Sequence, residues 1–230
     1  MPLSDHAMKQ HAELEQSPIV ANNAMNRKRQ ARGDNSYAKD VGLDPIQWLL
    51  ERRKTAGQPL RWLDLCCGEG RALLQASTCL PPAFELVGLD LVGMFAPALE
   101  GRSVRLVVDS IHAWQPEAAF DLITCVHGLH YLGDKIGVLE RIASWLTAEG
   151  CFVANFDPAS IVDESGVSLG RQLSRSLRDA AGVTYDARKK RVRMEGNRTF
   201  RLPFEYLGAR DDAGPNYTGQ SAVESVYRIR

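Results

Sequence analysis

The sequence lacks the features that would place it in several specialised classes of protein. It has only five cysteines, an odd number, and no two of them have the C-x-x-C spacing of a zinc or redox motif. Its longest stretch without a charged side chain, residues 72–84, is short and contains two prolines. We therefore expect reduced and mostly buried thiols, no metal site, no membrane span and a cytoplasmic location.

The chain also lacks net charge, but its charges are unevenly spread. Residues 61–170 carry 6 Lys and Arg against 14 Asp and Glu, whereas residues 171–230 carry 13 against 7. Such an asymmetry shapes the surface field and the choice of partner rather than the fold. With 44% hydrophobic residues among 230, the chain has enough material for one α/β domain with an extension.

Short apolar runs alternate with helical patterns in the middle of the chain. The runs predict strands that are apolar throughout, as in a parallel sheet covered by helices on both faces. Apolar spacing predicts helices at 70–79 and 134–146, and Asp44 followed by Pro45 predicts the start of another helix. The predicted strands are 60–65, 85–90, 104–109, 120–126 and 151–156.

The pattern changes after residue 157. A helix near 168–181 is followed by four further strand candidates, and the one at 199–206 alternates apolar and polar residues like a half-buried antiparallel strand. We expect residues 183–230 to complete the edge of the sheet. This divides the chain into an arm, 1–44, and a domain, 45–230, whose core spans about 60–157 and whose C-terminal strands span 183–230. The four candidates are 183–187, 191–195, 199–206 and 221–229.

Three aspartates stand at the ends of predicted strands, next to a glycine loop. Asp64 ends the first strand and precedes Gly68 and Gly70, which let the backbone turn tightly and let a ligand approach it. Asp90 ends the second strand and Asp109 the third. Because ligands bind at the carboxyl ends of parallel strands, these acids can converge on one nucleoside-binding crevice. Each alone is also an ordinary turn residue.

A dinucleotide is the rival ligand for this loop. Its G-x-G-x-x-G motif is incomplete here, because Leu73 occupies the third glycine position. Asp64 ahead of the loop and Glu69 inside it would repel a pyrophosphate. The same acids suit a ligand that carries an ammonium and a sulfonium. The loop therefore favours S-adenosylmethionine over NAD.

Four segments resemble class I S-adenosylmethionine-dependent methyltransferases. Residues 63–70 resemble their first motif, 86–90 their second acidic motif, 120–132 their fourth-strand motif and 139–152 the helix and loop before the fifth strand. Cys67 beside Gly68 departs from the usual small or polar residue. The resemblance covers about residues 37–157.

That resemblance implies a fold, a cofactor and a set of binding residues. The fold is a doubly wound, mostly parallel, seven-stranded Rossmann-like α/β sheet with antiparallel C-terminal strands and an N-terminal helical extension. Asp64 is expected near the methionine amino group, Asp90 on the ribose, and Asp109 with Ser110 near the adenine. The implied cofactor-binding set is Tyr37, Asp64, Cys66, Gly68, Gly70, Asp90, Leu91, Asp109, Ser110 and Val126.

His127 and His130 follow the predicted fourth strand and are the catalytic candidates. A histidine at this place can deprotonate a methyl acceptor, which is needed only where the acceptor must lose a proton. The alternative is that one imidazole packs under the loop and the other only contacts cofactor or backbone.

The methyl acceptor is not specified by any motif. We expect a small molecule, modified on O, N or C. The alternatives are RNA or protein held by the basic cluster at 188–193, and a cofactor-binding protein without transferase activity. The cluster fits a solvated hairpin turn better than a grip on phosphates. No N-P-P-[FYW]-like tetrad follows the fourth strand, which argues against amino methylation of bases or glutamine. The oligomeric state stays open.

The arm is expected to close the crevice. Residues 35–37 lie just before the helix that Asp44 caps, so we expect them to fold over the cofactor as a lid. Tyr37 could then contact the methionine carboxylate, or could merely pack against the helix. Arg27, Arg29 or Arg32 could pair with an anionic acceptor.

Overall fold

The computed structural model describes residues 8–21 and 27–230. At its centre is a seven-stranded sheet with the strand order β3-β2-β1-β4-β5-β8-β7. Every neighbouring pair from β3 to β5 is parallel, whereas β8 runs antiparallel to both β5 and β7. The strands of this sheet are β1 (Arg61–Leu65), β2 (Glu85–Asp90), β3 (Val104–Val108), β4 (Phe120–Cys125), β5 (Leu146–Asn155), β7 (Val183–Asp186) and β8 (Arg191–Glu195).

Helices cover both faces of this sheet, as the apolar strands predict. Within β1, Trp62 packs into one core cluster and Leu63 into the other, because alternate side chains of a strand point to opposite faces. The predicted doubly wound α/β fold is confirmed. The seven α-helices of the described residues are α1 (His11–Glu15), α2 (Pro18–Ala21), α3 (Tyr37–Asp40), α4 (Pro45–Arg53), α5 (Arg71–Cys79), α6 (Lys135–Trp145) and α7 (Gly170–Asp179).

Local capping fixes where the helices begin. The side chain of Asp44 accepts a hydrogen bond from the Gln47 N–H at 3.0 Å, and Pro45 fills the first position of α4, as predicted. Asp134 caps α6 in the same way through the Gly137 N–H at 2.8 Å. None of the helices in the parts of the chain that the structure describes has the length and apolarity needed to cross a membrane.

The prediction for the C-terminal strands is half wrong. Strands β7 and β8 complete the edge of the large sheet, but β9 (Phe204–Arg210) and β10 (Glu224–Ile229) leave it. They form a second, three-stranded sheet with β6 (Ile161–Val162), in which β10 lies between the other two.

The predicted strand at 199–206 also begins later, at Phe204. Pro203 has no N–H to give to a sheet, and the Leu202 carbonyl is taken by the Phe204 N–H at 2.8 Å. Leu202 and Phe204 are buried as their alternation predicts, but they pack with residues of α6. The Leu202 N–H binds the Glu140 carboxylate on that helix at 2.7 Å.

The N-terminal arm is anchored on the second sheet. Lys9 pairs with Ala209 through two backbone hydrogen bonds of 2.8 and 3.0 Å, and the Lys9 ammonium lies 2.7 Å from the Asp211 carboxylate. The amide of Gln10 donates to the Leu207 carbonyl at 2.9 Å. The division at residue 44 into arm and domain stays a prediction.

Candidate functional site

A crevice opens at the carboxyl ends of β1, β2 and β4, where the strand order reverses direction. Helix α1 and Arg27 from the arm form its outer wall, together with the turn after β4. Tyr37, Asp64, Gly70 and Ser110 are not among its lining residues, whereas six of the predicted binding residues are. These six are Cys66, Gly68, Asp90, Leu91, Asp109 and Val126.

The glycine loop uses left-handed backbone at three positions. Cys66, Gly68 and Gly70 have φ values of 54°, 62° and 71°. A Cβ atom on Gly68 would lie only 2.7 Å from the Cα atom of Arg27, so glycine is required there on two counts. Cys66 adopts this conformation without being glycine, which makes it the unusual residue of the loop, rather than Cys67.

Asp90 is surrounded by hydrogen-bond donors. Its carboxylate accepts from the Gly68 N–H at 2.8 Å, from the Val92 N–H at 3.1 Å and from the Arg27 guanidinium at 3.1 Å. The Arg27 carbonyl in turn accepts the Glu69 N–H at 2.9 Å, which fixes the arm on the loop. The Asp90 oxygen Oδ1 accepts from both Arg27 and the Val92 N–H. A ribose hydroxyl that binds this oxygen would therefore compete with Arg27.

Asp64 lies beneath the crevice and is fully buried. Tyr37 donates its hydroxyl proton to one carboxylate oxygen at 2.8 Å, and Thr124 donates to the other at 2.6 Å. Burial raises the pKa of Asp64 to about 7, and these two hydrogen bonds oppose the shift. The hydroxyl of Tyr37 is thus used on Asp64, and this side chain is buried beneath the crevice rather than placed above it.

Asp109 and Ser110 lie at the far end of the crevice from β4. Asp109 is exposed, and its carboxylate accepts the Ser110 N–H at 2.7 Å. The Ser110 hydroxyl donates to Glu15 at the end of α1. The arm therefore covers the place where an adenine is expected.

The three arginines of the arm that are candidates for binding an anionic acceptor each bind a carboxylate of the chain itself. Arg27 pairs with Asp90, Arg29 with Asp40 and Arg32 with Asp44. These pairs tie the arm to the crevice, to α3 and to the start of α4. Their guanidinium groups are thus engaged within the chain, and pairing with an anionic acceptor stays a prediction.

His127 follows the end of β4 by two residues and lines the crevice. Its backbone is left-handed, with φ 61°, and its side chain is buried. Neither ring nitrogen has a hydrogen-bond partner among residues 8–21 and 27–230, and Nε2 lies 3.7 Å from an Asp40 carboxylate oxygen. The His127 N–H binds the side-chain oxygen of Asn155 at 3.2 Å.

His130 occupies a different environment. It does not line the crevice, and its ring centroid lies 5.6 Å from that of His127 and 5.5 Å from that of Tyr217. Burial, followed by the charges of His127 and Lys135, lowers its pKa to about 3. The two catalytic candidates are thus neighbours, but only His127 faces the crevice.

The basic cluster at 188–193 is largely paired. Lys190 lies 2.9 Å from Asp157, Arg193 lies 3.0 Å from Glu195, and Arg191 donates to the backbone carbonyls of Asp40 and Lys39 at 2.7 and 2.9 Å. The cluster forms the turn and first part of the β7–β8 hairpin. Its groups therefore hold the end of α3 and the loop after β5 in place.

The cysteines remain free thiols, three of them buried. A hydrogen bond with Cys125 and burial raise the pKa of the Cys66 thiol well above its ordinary value. No group of three or more His, Cys, Asp and Glu side chains in the described ranges is arranged to hold a metal ion. The expectation of a metal-free site stays a prediction.

Comparison with protein families supplies the deciding observation. The profile of a methyltransferase-domain family matches residues 36–189, which include the whole glycine loop and the β4 turn. The chain belongs to this family. The resemblance to S-adenosylmethionine-dependent methyltransferases that the glycine loop carries is thereby confirmed. No curated protein has a sequence that matches this chain.

Several solved methyltransferase structures are similar at low identity. The plantazolicin methyltransferase BpumL with SAH and a monoazolic analogue is 19% identical over 47% of this chain and 43% of its own, with a TM-score of 0.41. CalS10, an amino pentose methyltransferase from Micromonospora echinaspora, is 24% identical over 54% and 52%, with a TM-score of 0.42. The N-methyltransferase NodS from Bradyrhizobium japonicum WM9 is 16% identical over 82% and 98%, with a TM-score of 0.41. This chain spans about half the length of the first two proteins.

Proposed function

We propose that this protein transfers the methyl group of S-adenosylmethionine to a small-molecule acceptor and that His127 takes the acceptor's proton. The observation that carries the proposal is a buried imidazole on the crevice wall whose ring nitrogens have no hydrogen-bond partner in the described residues. Buried polar groups are normally satisfied, so an unsatisfied one at a ligand crevice is available to a ligand.

The predicted residues divide into two groups around the cofactor. Cys66, Gly68, Leu91 and Val126 contact it as crevice walls, with Asp90 on the ribose and Asp109 at the adenine end. Tyr37, Asp64 and Gly70 act from beneath by shaping the loop, and Ser110 acts by holding α1. The buried acids favour a ligand with positive charge, which the sulfonium and the amino group supply.

Methyl transfer then proceeds by in-line displacement. The acceptor atom forms a bond to the methyl carbon while the carbon–sulfur bond breaks, and sulfur keeps the electron pair as S-adenosylhomocysteine leaves. The acceptor's proton passes to the His127 imidazole. Alignment of donor and acceptor is the main contribution, about 7–11 kcal/mol at best, and a general base adds roughly 10²–10⁴-fold in rate.

A small acceptor is favoured over a polymer by two features. The arm narrows the crevice, because Arg27 pairs with Asp90 inside it and His11, Leu14 and Glu15 of α1 line its wall. In addition, Lys190, Arg191 and Arg193 are engaged within the chain, so they offer few free contacts to phosphates. The free cysteines fit a reducing compartment such as the cytoplasm.

Labelled S-adenosylmethionine tests the proposal. The protein is incubated with the methyl-labelled cofactor and, separately, with a panel of hydroxyl- and amine-bearing small molecules, with total RNA and with a mixture of unfolded proteins. Transfer to a small molecule supports the proposal, and transfer only to RNA or protein contradicts it. Cofactor binding without any transfer supports the non-catalytic alternative.

His127→Gln isolates the proposed base in the same assay. We expect the turnover number to fall roughly 10²–10⁴-fold while the affinity for S-adenosylhomocysteine is kept. His112→Gln is the matched control, because His112 lines the adenine end of the same crevice. Equal losses in both variants would remove His127 from the chemistry.

A further inference from the structure

Asp40 is the last residue of α3, and its carboxylate reaches the His127 ring from outside the sheet. One carboxylate oxygen pairs with Arg29 and the other lies 3.7 Å from Nε2 of His127. The backbone carbonyl of Asp40 accepts from the Arg191 guanidinium at 2.7 Å. The residue is therefore fixed at both its main chain and its side chain.

Asn155 links Asp40 to His127. This side chain lies at the end of β5 and is 3% exposed. Its oxygen accepts the His127 N–H at 3.2 Å, and its amide donates to the Asp40 carbonyl at 3.3 Å. Arg191 is opposite Asn155 in the β5–β8 register, so both donors reach the same carbonyl from adjacent strands. The paired ends of β5 and β8 thereby set the separation of the Asp40 carboxylate from the His127 imidazole.

The other charged groups near the ring are already occupied or neutral. Asp157 is paired with Lys190 at 2.9 Å. His130 is held neutral by burial, which lowers its pKa to about 3. Within the part of the chain that the structure describes, Asp40 is the acid within 4.0 Å of a His127 nitrogen. The ring therefore faces one carboxylate on its Nε2 side.

We propose that Asp40, held by Asn155 and Arg191, is a positioning residue that keeps the proton of neutral His127 on Nε2 and leaves Nδ1 free to accept the proton of the methyl acceptor. The inference rests on the proposed function of His127. A shift of less than about 1 Å closes the 3.7 Å gap to an ordinary hydrogen bond, and such gaps commonly tighten when ligands bind. After transfer, the same carboxylate stabilises the imidazolium.

The tautomer of His127 is measured by long-range ¹H–¹⁵N spectra of the full chain labelled on histidine nitrogens, with and without S-adenosylhomocysteine. Spectra are recorded at about pH 8.5, where an ordinary imidazole is neutral. The His127 signals are assigned by their loss in His127→Gln. We expect the Nε2–H tautomer to dominate in the unmodified protein, and a dominant Nδ1–H tautomer would overturn the proposal without any variant.

Asp40→Asn is then compared with Asp157→Asn, which removes a buried acid two residues after Asn155. We expect Asp40→Asn to shift the His127 population towards Nδ1–H, Asp157→Asn to leave it unchanged, and Asp40→Glu to restore it. Identical spectra for all three variants would contradict a role for Asp40.

The spectra distinguish failure of this inference from failure of the proposed function. A protein with the expected tautomer that methylates nothing disproves the function alone, because the contact is read directly from the ring. A methyltransferase whose His127 carries its proton on Nδ1 disproves the inference alone.

Discussion

Acids are buried at the ends of β1 and β2, whereas bases are buried beyond β4. Asp64 and Asp90 are buried and each accepts hydrogen bonds from at least two donors. His127, His130 and Lys135 are buried on the other side; both ring nitrogens of His127 and Nε2 of His130 have no partner in the described ranges, whereas Lys135 donates to the Val223 carbonyl and the Ser225 hydroxyl. Satisfied acids suit a fixed cationic ligand, and an imidazole without a partner on the crevice wall suits a ligand that gives up a proton.

The acidic half should show the largest effect. Asp90→Ala removes the proposed acceptor for the ribose hydroxyls, and each hydrogen bond to a charged group contributes about 1.5–3 kcal/mol. We therefore expect the dissociation constant for S-adenosylhomocysteine to rise roughly 100-fold by calorimetry. Asp163→Ala, at an exposed turn, is the control. An unchanged constant would remove Asp90 from the site.

The basic half should show a distinct pH dependence. Burial lowers the pKa of Lys135 to about 7, so the folded chain releases this proton near pH 7 while the unfolded chain holds it to about pH 10.5. Stability conferred by Lys135 therefore rises with pH above 7. Replacing Lys135 with Met should reduce the gain in unfolding free energy between about pH 7 and 8.5 by roughly 1.5 kcal/mol.

Urea unfolding at several pH values checks this effect. Lys189→Met, at an exposed position of the β7–β8 turn, should follow the unmodified protein. Parallel curves for the unmodified protein and Lys135→Met would show that Lys135 keeps its proton when buried.

Arg27 tests the acidic side in the opposite direction, because this cation already pairs with Asp90 where a cofactor is proposed to bind. Arg27→Met keeps most of the length of the side chain but removes the guanidinium that donates to Oδ1 of Asp90. A net hydrogen bond contributes about 0.5–1.5 kcal/mol, so we expect S-adenosylhomocysteine to bind roughly 2–10-fold more tightly. Weaker binding would mean that Arg27 contacts the cofactor instead of competing with it. Arg32→Met, which breaks the contact with Asp44, controls for loosening of the arm.

The smallest expected effect is at Cys66. A non-glycine residue with φ 54° is strained by about 1 kcal/mol. Cys66→Gly and Cys66→Ala both lose the thiol, but only alanine keeps a Cβ atom, so the glycine variant should melt roughly 2–4 °C above the alanine variant. A lower melting temperature for the glycine variant than for the alanine variant would exclude backbone strain at this position.

Features built from neighbouring residues could be predicted from the sequence. Strand β2 was predicted at its observed bounds, and the Asp44 cap and the glycine loop were placed correctly, because each depends on a few consecutive residues. The start of β9 was missed because burial of Leu202 depends on α6, which alternation alone does not identify.

Contacts between distant segments could not be predicted. The pairing of Arg27 with Asp90 spans 63 residues, and that of Asn155 with Asp40 spans 115. No local pattern specifies which arginine of the arm enters the crevice. The sequence does carry an indication of the left-handed backbone at Cys66, since this residue stands two positions before Gly68 in a loop whose glycines have positive φ. His127 and His130 differ only in their tertiary surroundings, so the sequence predicted both equally.

Calorimetry with S-adenosylhomocysteine and with NAD tests the central claim most directly, since both ligands would use the same loop. We expect S-adenosylhomocysteine to bind in the micromolar range and to lose affinity in Asp90→Ala, and we expect no binding of NAD. Tighter binding of NAD than of S-adenosylhomocysteine would contradict the assignment of the crevice.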